Sequence, residues 1–136
     1  MGYEGWSKSY FPQAWFDSEP EFLFAGIADR ADEVVWWVRL LRNDVPIPWR
    51  SGGNLYHPDF LLVLTDGVHV IVEIKAEKAA STTEVTEKKA AAQRVMRRAS
   101  GNASEAHWAY WLITDEDIRT SRRSWRALRA AAEQDS

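Results

Sequence analysis

Apolar runs in the first half of the chain predict three strands. Residues 33–42 (EVVWWVRLLR) are rich in β-branched and aromatic side chains, a composition that favours a strand. The runs 60–64 and 68–74 flank Thr65-Asp66-Gly67, a short connection with glycine where a left-handed conformation is needed. These two runs predict a β-hairpin, which we extend from about residue 55 to residue 75.

Helix start and stop signals predict three helices around these strands. Ser18 followed by Pro20 is typical of a helix start. Ser81 and Glu84 resemble a capping box, and Thr114 is placed to cap a last helix with an acidic first turn. The predicted helices cover 18–29, 84–99 (closed by Gly101-Asn102) and 115–133, a fourth strand covers 107–114, and the remainder comprises a strand or extended arm (1–17), a proline break (43–49), a turn (51–54) and a polar loop (76–83).

The order of these elements, α-β-β-β-α-β-α, predicts a single α/β domain over residues 1–136. The first three strands form an antiparallel set, and the crossover helix delivers the fourth most simply as a parallel neighbour. A chain of 136 residues is long enough for one hydrophobic core. We therefore expect a mixed sheet of about four strands flanked by helices.

Pairing within the hairpin brings three charged side chains together. If Leu64 faces Val68, Asp59 lies directly opposite Glu73, and alternation places Lys75 on the same face. Burying two carboxylates and an ammonium beside a core is costly unless they pair or hold a metal. Mg²⁺ takes oxygen ligands, typically one or two carboxylates with substrate phosphate. The alternative is a solvated hairpin end, where Asp59 caps a turn and Glu73 and Lys75 form a surface pair.

Pro58-Asp59 and Glu73-Ile74-Lys75 resemble the PD-(D/E)XK motif of restriction-endonuclease-like nucleases, whose core topology is the one predicted above. A wider resemblance covers residues 3–129 and includes AWFDSEPEFLFAGIAD, VVWWVRL, EKKAAAQRV and WAYWLITDEDI. It is to the nuclease domain at the C-terminal end of DEAD/DEAH-type helicases related to type III restriction enzymes, and more loosely to endonuclease subunits that cut transposon ends. The resemblance implies an endonuclease that hydrolyses DNA phosphodiester bonds with Mg²⁺ or Mn²⁺.

The resemblance also implies roles for the motif residues. Asp59, Glu73 and the carbonyl oxygen of Ile74 would hold the metal, which polarises the scissile phosphate and lowers the pKa of a bound water. Lys75 would orient that water or stabilise charge on phosphorus.

An acidic residue on the first helix is expected to complete this set. Glu21 matches the family's spacing, and Glu19 competes with it. For either residue, the alternative is simple stabilisation of the helix dipole. His57, beside the motif, is a further candidate as general base, although the family's chemistry uses metal and lysine.

Basic side chains concentrate in the last two predicted helices. Those on the helix at 84–99 are the better candidates for contacts with the DNA backbone, because that helix directly follows the motif. The alternative is a solvated basic face, and the last helix is expected to pack on the sheet or on a motor domain. The candidate DNA-binding residues are Lys88, Lys89, Arg94 and Arg97.

The composition limits the setting and the partners. The chain has no cysteine, no signal-peptide pattern and no apolar run near the ~20 residues of a membrane span, so we expect a cytoplasmic protein without a membrane partner. The net charge of −3 implies that a helicase or translocase motor, or a second copy, supplies much of the DNA affinity. Since one active site cuts one strand, duplex cleavage implies a homodimer or repeated nicking.

The resemblance places this activity in restriction, phage defence or helicase-coupled DNA processing. One rival is a catalytically inactive DNA-binding or docking module with the same fold. Another is a ribonuclease, because no pattern in the chain reads or rejects a 2′-hydroxyl.

Overall fold

The computed structural model describes residues 2–41, 44, 47–50, 54–101 and 107–134. A four-stranded mixed sheet forms its centre, and helices cover both faces. In chain order the elements are β1 (Gly2–Tyr3), β2 (Ala14–Trp15), α1 (Glu19–Arg30), β3 (Val34–Arg39), β4 (Ile47–Arg50), β5 (Asn54–Tyr56), β6 (Phe60–Leu64), β7 (His69–Lys75), α2 (Glu77–Ala80), α3 (Thr83–Ser100), β8 (Trp108–Thr114), α4 (Asp115–Ser121) and α5 (Trp125–Gln134).

The central sheet has the strand order β3-β6-β7-β8. Strands β3, β6 and β7 are antiparallel, and β8 joins β7 in parallel after the crossover through α2 and α3. Phe60 pairs with Val72 and Leu61 with Ile71, the register expected from the hairpin sequence. The predicted fold class, a mixed sheet of about four strands flanked by helices, is confirmed.

Side-chain alternation divides the interior into two cores, one on each face of the sheet. Phe60 and Leu62 of β6 point toward α1, α4 and α5, whereas Leu61 packs on the opposite side, beneath α3 and β4. Trp37 and Phe24 are fully buried in the first core. The sheet is therefore buried on both faces, and polar side chains can gather only at its ends.

Local capping signals set most helix starts. Ser18 caps α1, as predicted, and its hydroxyl accepts a hydrogen bond from the backbone of Glu21. The predicted cap of α3 is wrong by one residue. Thr82 rather than Ser81 accepts from the Val85 backbone, because residues 77–80 of the predicted loop form the short helix α2 and Ser81 ends it.

The last predicted helix is interrupted. Arg122 and Arg123 adopt positive φ angles of 52° and 66°, and α5 begins after them. A left-handed residue other than glycine costs about 1–2 kcal/mol, so packing must compensate. The break lets α4 pack on α1 while α5 places Leu128 and Ala132 in the core against β8.

Two other expectations need correction. The proline break at 43–49 is partly strand, because β4 pairs with β5 in a separate two-stranded sheet that accommodates Pro48. Residues 54–56 therefore belong to β5 and do not extend the β6–β7 hairpin. The turn predicted at 51–54 falls mostly on residues 51–53, which lie outside the described part of the chain.

The N-terminal segment is an extended arm that lies along the free edge of the sheet. The backbone N–H of Tyr10 donates to the Trp37 carbonyl (2.8 Å), and the Trp37 N–H donates to the Lys8 carbonyl (3.0 Å). Strands β1 and β2, which lie on either side of these residues in the sequence, pair with each other. Among the described residues, no helix combines the length and apolar character needed to cross a membrane.

The capping box between β8 and α4 allows the contribution of one helix cap to the free energy of unfolding to be measured. Thr114 Oγ1 accepts from the Asp117 N–H, and Asp117 Oδ2 accepts from the Thr114 N–H, each at 3.0 Å. Replacing Thr114 with Ala should lower the free energy of unfolding by about 1 kcal/mol in urea denaturation. Thr120→Ala, on the exposed side of the same helix, should change it by less than about 0.5 kcal/mol. Equal effects would contradict this role of the capping box.

Candidate active site

Charged side chains gather at one end of the central sheet, where β3, β7 and β8 end and β6 begins. Helix α1 starts at the same end and contributes its first turn. The residues brought together there are Glu21, Arg39, Asp59, Glu73 and Lys75.

Asp59 is fixed by its neighbours on both adjoining strands. Its N–H donates to the Val72 carbonyl (3.0 Å), and its carbonyl accepts from the Leu40 N–H (2.8 Å). Its side-chain Oδ2 accepts from the backbone N–H of Ile74 at 2.8 Å. The carboxyl group is thus held against β7 by backbone hydrogen bonds, which limits its freedom to reorient.

Glu73 and Lys75 complete the side of the cluster formed by β7. The Glu73 side chain lies close enough to that of Asp59 to interact with it, and this interaction acts to lower the pKa of the Asp59 carboxyl. Lys75 Nζ lies 3.3 Å from Glu73 Oε1. The Glu73 side chain is only 6% exposed and that of Lys75 is 34% exposed, so the ammonium lies nearer the solvent. The solvated-end alternative does not describe this buried arrangement.

The two acidic candidates on α1 have different environments. Glu21 is 7% exposed, accepts a hydrogen bond from the Ser18 hydroxyl, and lies close enough to Asp59 for their charges to interact. Glu19 is exposed and lines a groove between α1 and α4. The geometry therefore brings Glu21 to the cluster, and any catalytic role for it stays a prediction.

Arg39 is the site residue that sequence reasoning missed. Its guanidinium lies 2.6 Å from Glu21 Oε1, 3.2 Å from Asp17 Oδ2 and 3.6 Å from Asp59 Oδ1. It also donates to the carbonyls of Asp59 (2.9 Å) and Leu40 (2.8 Å). Its signal in the sequence was weak, because it is one of two arginines in the otherwise mostly apolar run 33–42. Linking it to Asp59 requires the register of β3 on β6, which no short turn specifies.

Burial dominates the electrostatics of the carboxyl groups. Desolvation raises the pKa of Asp59 above its ordinary value, although the Ile74 N–H, Arg39 and Lys75 oppose that rise. Burial, and then the charge of Asp59, raise the pKa of Glu21, which Arg39 lowers only in part. The two cations therefore compensate incompletely for the burial of the acids.

The donor set fits a hard divalent cation that also binds water or phosphate. Within the described ranges, no group of three or more His, Cys, Asp or Glu side chains is arranged to hold a metal. A cation at this position would rely on Asp59 and Glu73, whose carboxyl groups are in contact. One or two carboxylates with water and phosphate are the usual ligands of Mg²⁺, so the residues fit that ion. The carbonyl of Ile74 stays a predicted ligand.

Comparison with known proteins decides the family. A protein-family sequence model described as "Endonuclease domain" matches residues 7–100, which is more than half of the chain. The chain belongs to this endonuclease domain family. The match includes Glu21, Arg39 and the whole PD-(D/E)XK motif, and it supports a restriction-endonuclease-like nuclease. No curated protein and no solved structure matched the chain.

The predicted DNA-binding residues of the endonuclease domain do not share one face of α3. Lys88 and Lys89 are half-buried beside the packed side of the helix, and Lys88 pairs with Glu84 at 3.0 Å. Arg94 and Arg97 are exposed. The four residues therefore differ in exposure, and any contact with DNA stays a prediction.

His57 lies two residues before Asp59 in the sequence. Its Nδ1 is buried, and no residue that the structure describes hydrogen-bonds to it. Among the described residues its ring makes no hydrogen bond to the carboxyl cluster, and a general-base role for it stays a prediction.

The raised pKa of the buried Glu21 predicts how the stability of the endonuclease domain changes with pH. Because the folded-state pKa of Glu21 is raised, the folded protein binds protons more tightly, and stability falls as pH rises from about 4.5 through the folded value. Glu21→Gln removes this contribution. We expect the stability of the variant to fall less between pH 4 and pH 8 than that of the wild type, without metal. Thermal melts across that range measure it, with Glu19→Gln as the matched control that should show no such trend.

Removing the guanidinium should have the opposite effect. Arg39→Met leaves buried carboxylates without their counter-ion, and we expect a loss of about 3–5 kcal/mol in unfolding free energy at pH 8. The loss should shrink as the pH falls, because the acids take up protons. Arg129→Met, which removes partly exposed ion pairs, should cost at most about 1 kcal/mol. Similar losses in the two variants would contradict the central role of Arg39.

Proposed function

We propose that this domain is a Mg²⁺- or Mn²⁺-dependent endodeoxyribonuclease that hydrolyses DNA phosphodiester bonds. The observation that carries the proposal is the buried contact between the Asp59 and Glu73 carboxyl groups, with Lys75 beside them, in a chain of the endonuclease domain family. The metal ligands are Asp59, Glu73 and the Ile74 carbonyl, and the bound ion supplies Lewis-acid activation of the phosphate and of a water.

The chain's own residues divide the remaining work. Lys75 reaches toward solvent from its contact with Glu73, so its ammonium can donate to a phosphate oxygen as negative charge develops there. Glu21 lies deeper, and it takes part through a water or by direct ligation. Arg39 is a positioning residue, because it holds the backbone of Asp59 and the carboxylate of Glu21.

The proposed setting is cytoplasmic, in restriction, phage defence or helicase-coupled DNA processing. With a net charge of −3, the domain gains little affinity from counter-ion release, so a helicase or translocase partner or a homodimer would hold it on DNA. The same homodimer, or repeated nicking, would give duplex cleavage. Lys88, Lys89, Arg94 and Arg97 remain the proposed contacts with the DNA backbone.

One observation favours a second function, a non-catalytic DNA-binding or docking module. Arg39 and Lys75 already provide positive charge at the carboxylates, and no three His, Cys, Asp or Glu side chains of the described residues are arranged to hold a metal. A site balanced by its own side chains can persist without binding a cation. The two functions differ in whether a divalent cation binds at Asp59.

Cleavage of supercoiled plasmid with Mg²⁺, Mn²⁺ or EDTA separates these functions. We expect metal-dependent nicking by the wild type and at least about a 100-fold slower rate for Asp59→Asn and for Lys75→Ala. Asp66→Asn, an exposed carboxylate at the other end of the same hairpin, should cut normally. Competition with single-stranded DNA and with RNA then identifies the preferred nucleic acid.

Calorimetric titration of Mn²⁺ distinguishes ligand from catalyst. Lys75→Ala should retain Mn²⁺ binding, whereas Asp59→Asn should lose it. Normal cutting by Asp59→Asn would overturn the assigned site. Absence of both Mn²⁺ binding and cleavage in the wild type would favour the non-catalytic module.

A further inference from the structure

An aromatic pocket lies directly beside the carboxyl cluster. It has a volume of about 540 Å³, its walls include Phe11, Pro12, Trp15 and Leu41, and Arg39 forms part of its lining. Phe11 and Trp15 are 52% and 58% exposed, and Leu41 is 62% exposed. These are among the most exposed large apolar side chains in the part of the chain that the structure describes.

The position of these rings is fixed by the backbone. Strand β2 buries Ala14 in the core, and alternation turns its neighbour Trp15 outward. Just before Phe11, the hydrogen bond from Tyr10 to the Trp37 carbonyl fastens the arm to β3. The aromatic faces are therefore held at the surface without contributing to either core. Large exposed rings of this kind mark binding surfaces.

Arg39 connects the pocket to the proposed catalytic residues. Arg39 lines the pocket, and its guanidinium lies 3.6 Å from Asp59 Oδ1 and 2.6 Å from Glu21 Oε1. A nucleic-acid strand with a phosphate at Asp59 must place the adjoining nucleotide within reach of that guanidinium. An apolar pocket can bind several kinds of group. A base of the strand bound at Asp59 is the one that would already lie next to this pocket.

We propose that this pocket takes one unstacked nucleobase adjacent to the scissile phosphate, held between Phe11 and Trp15. This inference rests on the proposed nuclease function. Every base presents a π-face, so stacking on aromatic rings supplies affinity without requiring a particular sequence. At the rim, the Gln13 amide is hydrogen-bonded to Glu4 at 2.5 Å, and both line the pocket, where they can contact a base edge.

Charge favours a base over the sugar-phosphate backbone in this pocket. Glu4 lines it and Asp17 pairs with Arg39 beside it, so a second phosphate would meet carboxylates. A neutral base avoids that repulsion. We therefore expect the domain to prefer single-stranded or frayed DNA. The pocket should contribute affinity that depends little on salt.

Binding of fluorescent single-stranded oligonucleotides in EDTA, where the strand stays intact, tests the inference. Trp15→Ala, and Trp15→Leu, which keeps an apolar side chain without a π-face, should each bind about tenfold more weakly, with an unchanged salt slope. Val35→Ala removes an exposed apolar side chain outside the pocket and should bind like the wild type. Thermal melts check that each variant is folded.

A set of oligonucleotides with one abasic site at successive positions makes the test specific for a base. We expect one position at which losing the base weakens wild-type binding and leaves Trp15→Ala unaffected. At the same position, 2-aminopurine should be quenched by the wild type and not by the variant. This pattern would support base stacking rather than a general loss of structure.

Other outcomes overturn the inference, and they are distinguishable from failure of the nuclease proposal. If Trp15→Ala and Phe11→Ala bind and cut DNA as well as the wild type does, the proposed base pocket is rejected and the nuclease proposal stands. A wild-type dimer that becomes a monomer in Trp15→Ala, by sedimentation, with DNA binding unchanged, would assign the face to a second copy. A wild type that neither binds nor cuts nucleic acid would reject both proposals.

Discussion

The antiparallel register of β6 on β7 is the constraint on which the candidate site depends. It places Asp59 next to Glu73 at the open end of the hairpin and aims the Ile74 N–H at the Asp59 carboxylate. Because side chains alternate, a shift of one residue in this register would turn every side chain of the shifted strand to the other face of the sheet. The carboxylates and the core side chains would both be misplaced. The apolar alternation that builds two cores around the sheet therefore also fixes the geometry of the acids.

The cost of gathering carboxylates at the edge of a core is met by two cations from different strands. Lys75 comes from the same strand as Glu73, whereas Arg39 comes from β3 and reaches both α1 and β6. Even so, burial raises the pKa of Asp59 and Glu21. The cluster is thus less favourable to folding at neutral pH than uncharged side chains of similar shape would be, a common property of sites kept for chemistry.

The N-terminal arm links the edge of the sheet to this cluster. By hydrogen-bonding along β3, it covers an edge that would otherwise be open to pairing with another chain. The same attachment holds Phe11 and Trp15 outside the core and next to Arg39. One segment therefore protects the sheet and presents an aromatic surface beside the acids.

Sequence alone determined the features that depend on neighbouring residues. The hairpin register followed from a three-residue turn, and the starts of α1 and α4 followed from the caps Ser18 and Thr114. Tertiary structure decided the rest. The pairing of β3 with β6 crosses a long connection, so no local pattern could place Arg39 beside Asp59. The break at residues 122–123 has the same origin, because only packing of α4 and α5 on different partners compensates for two left-handed arginines.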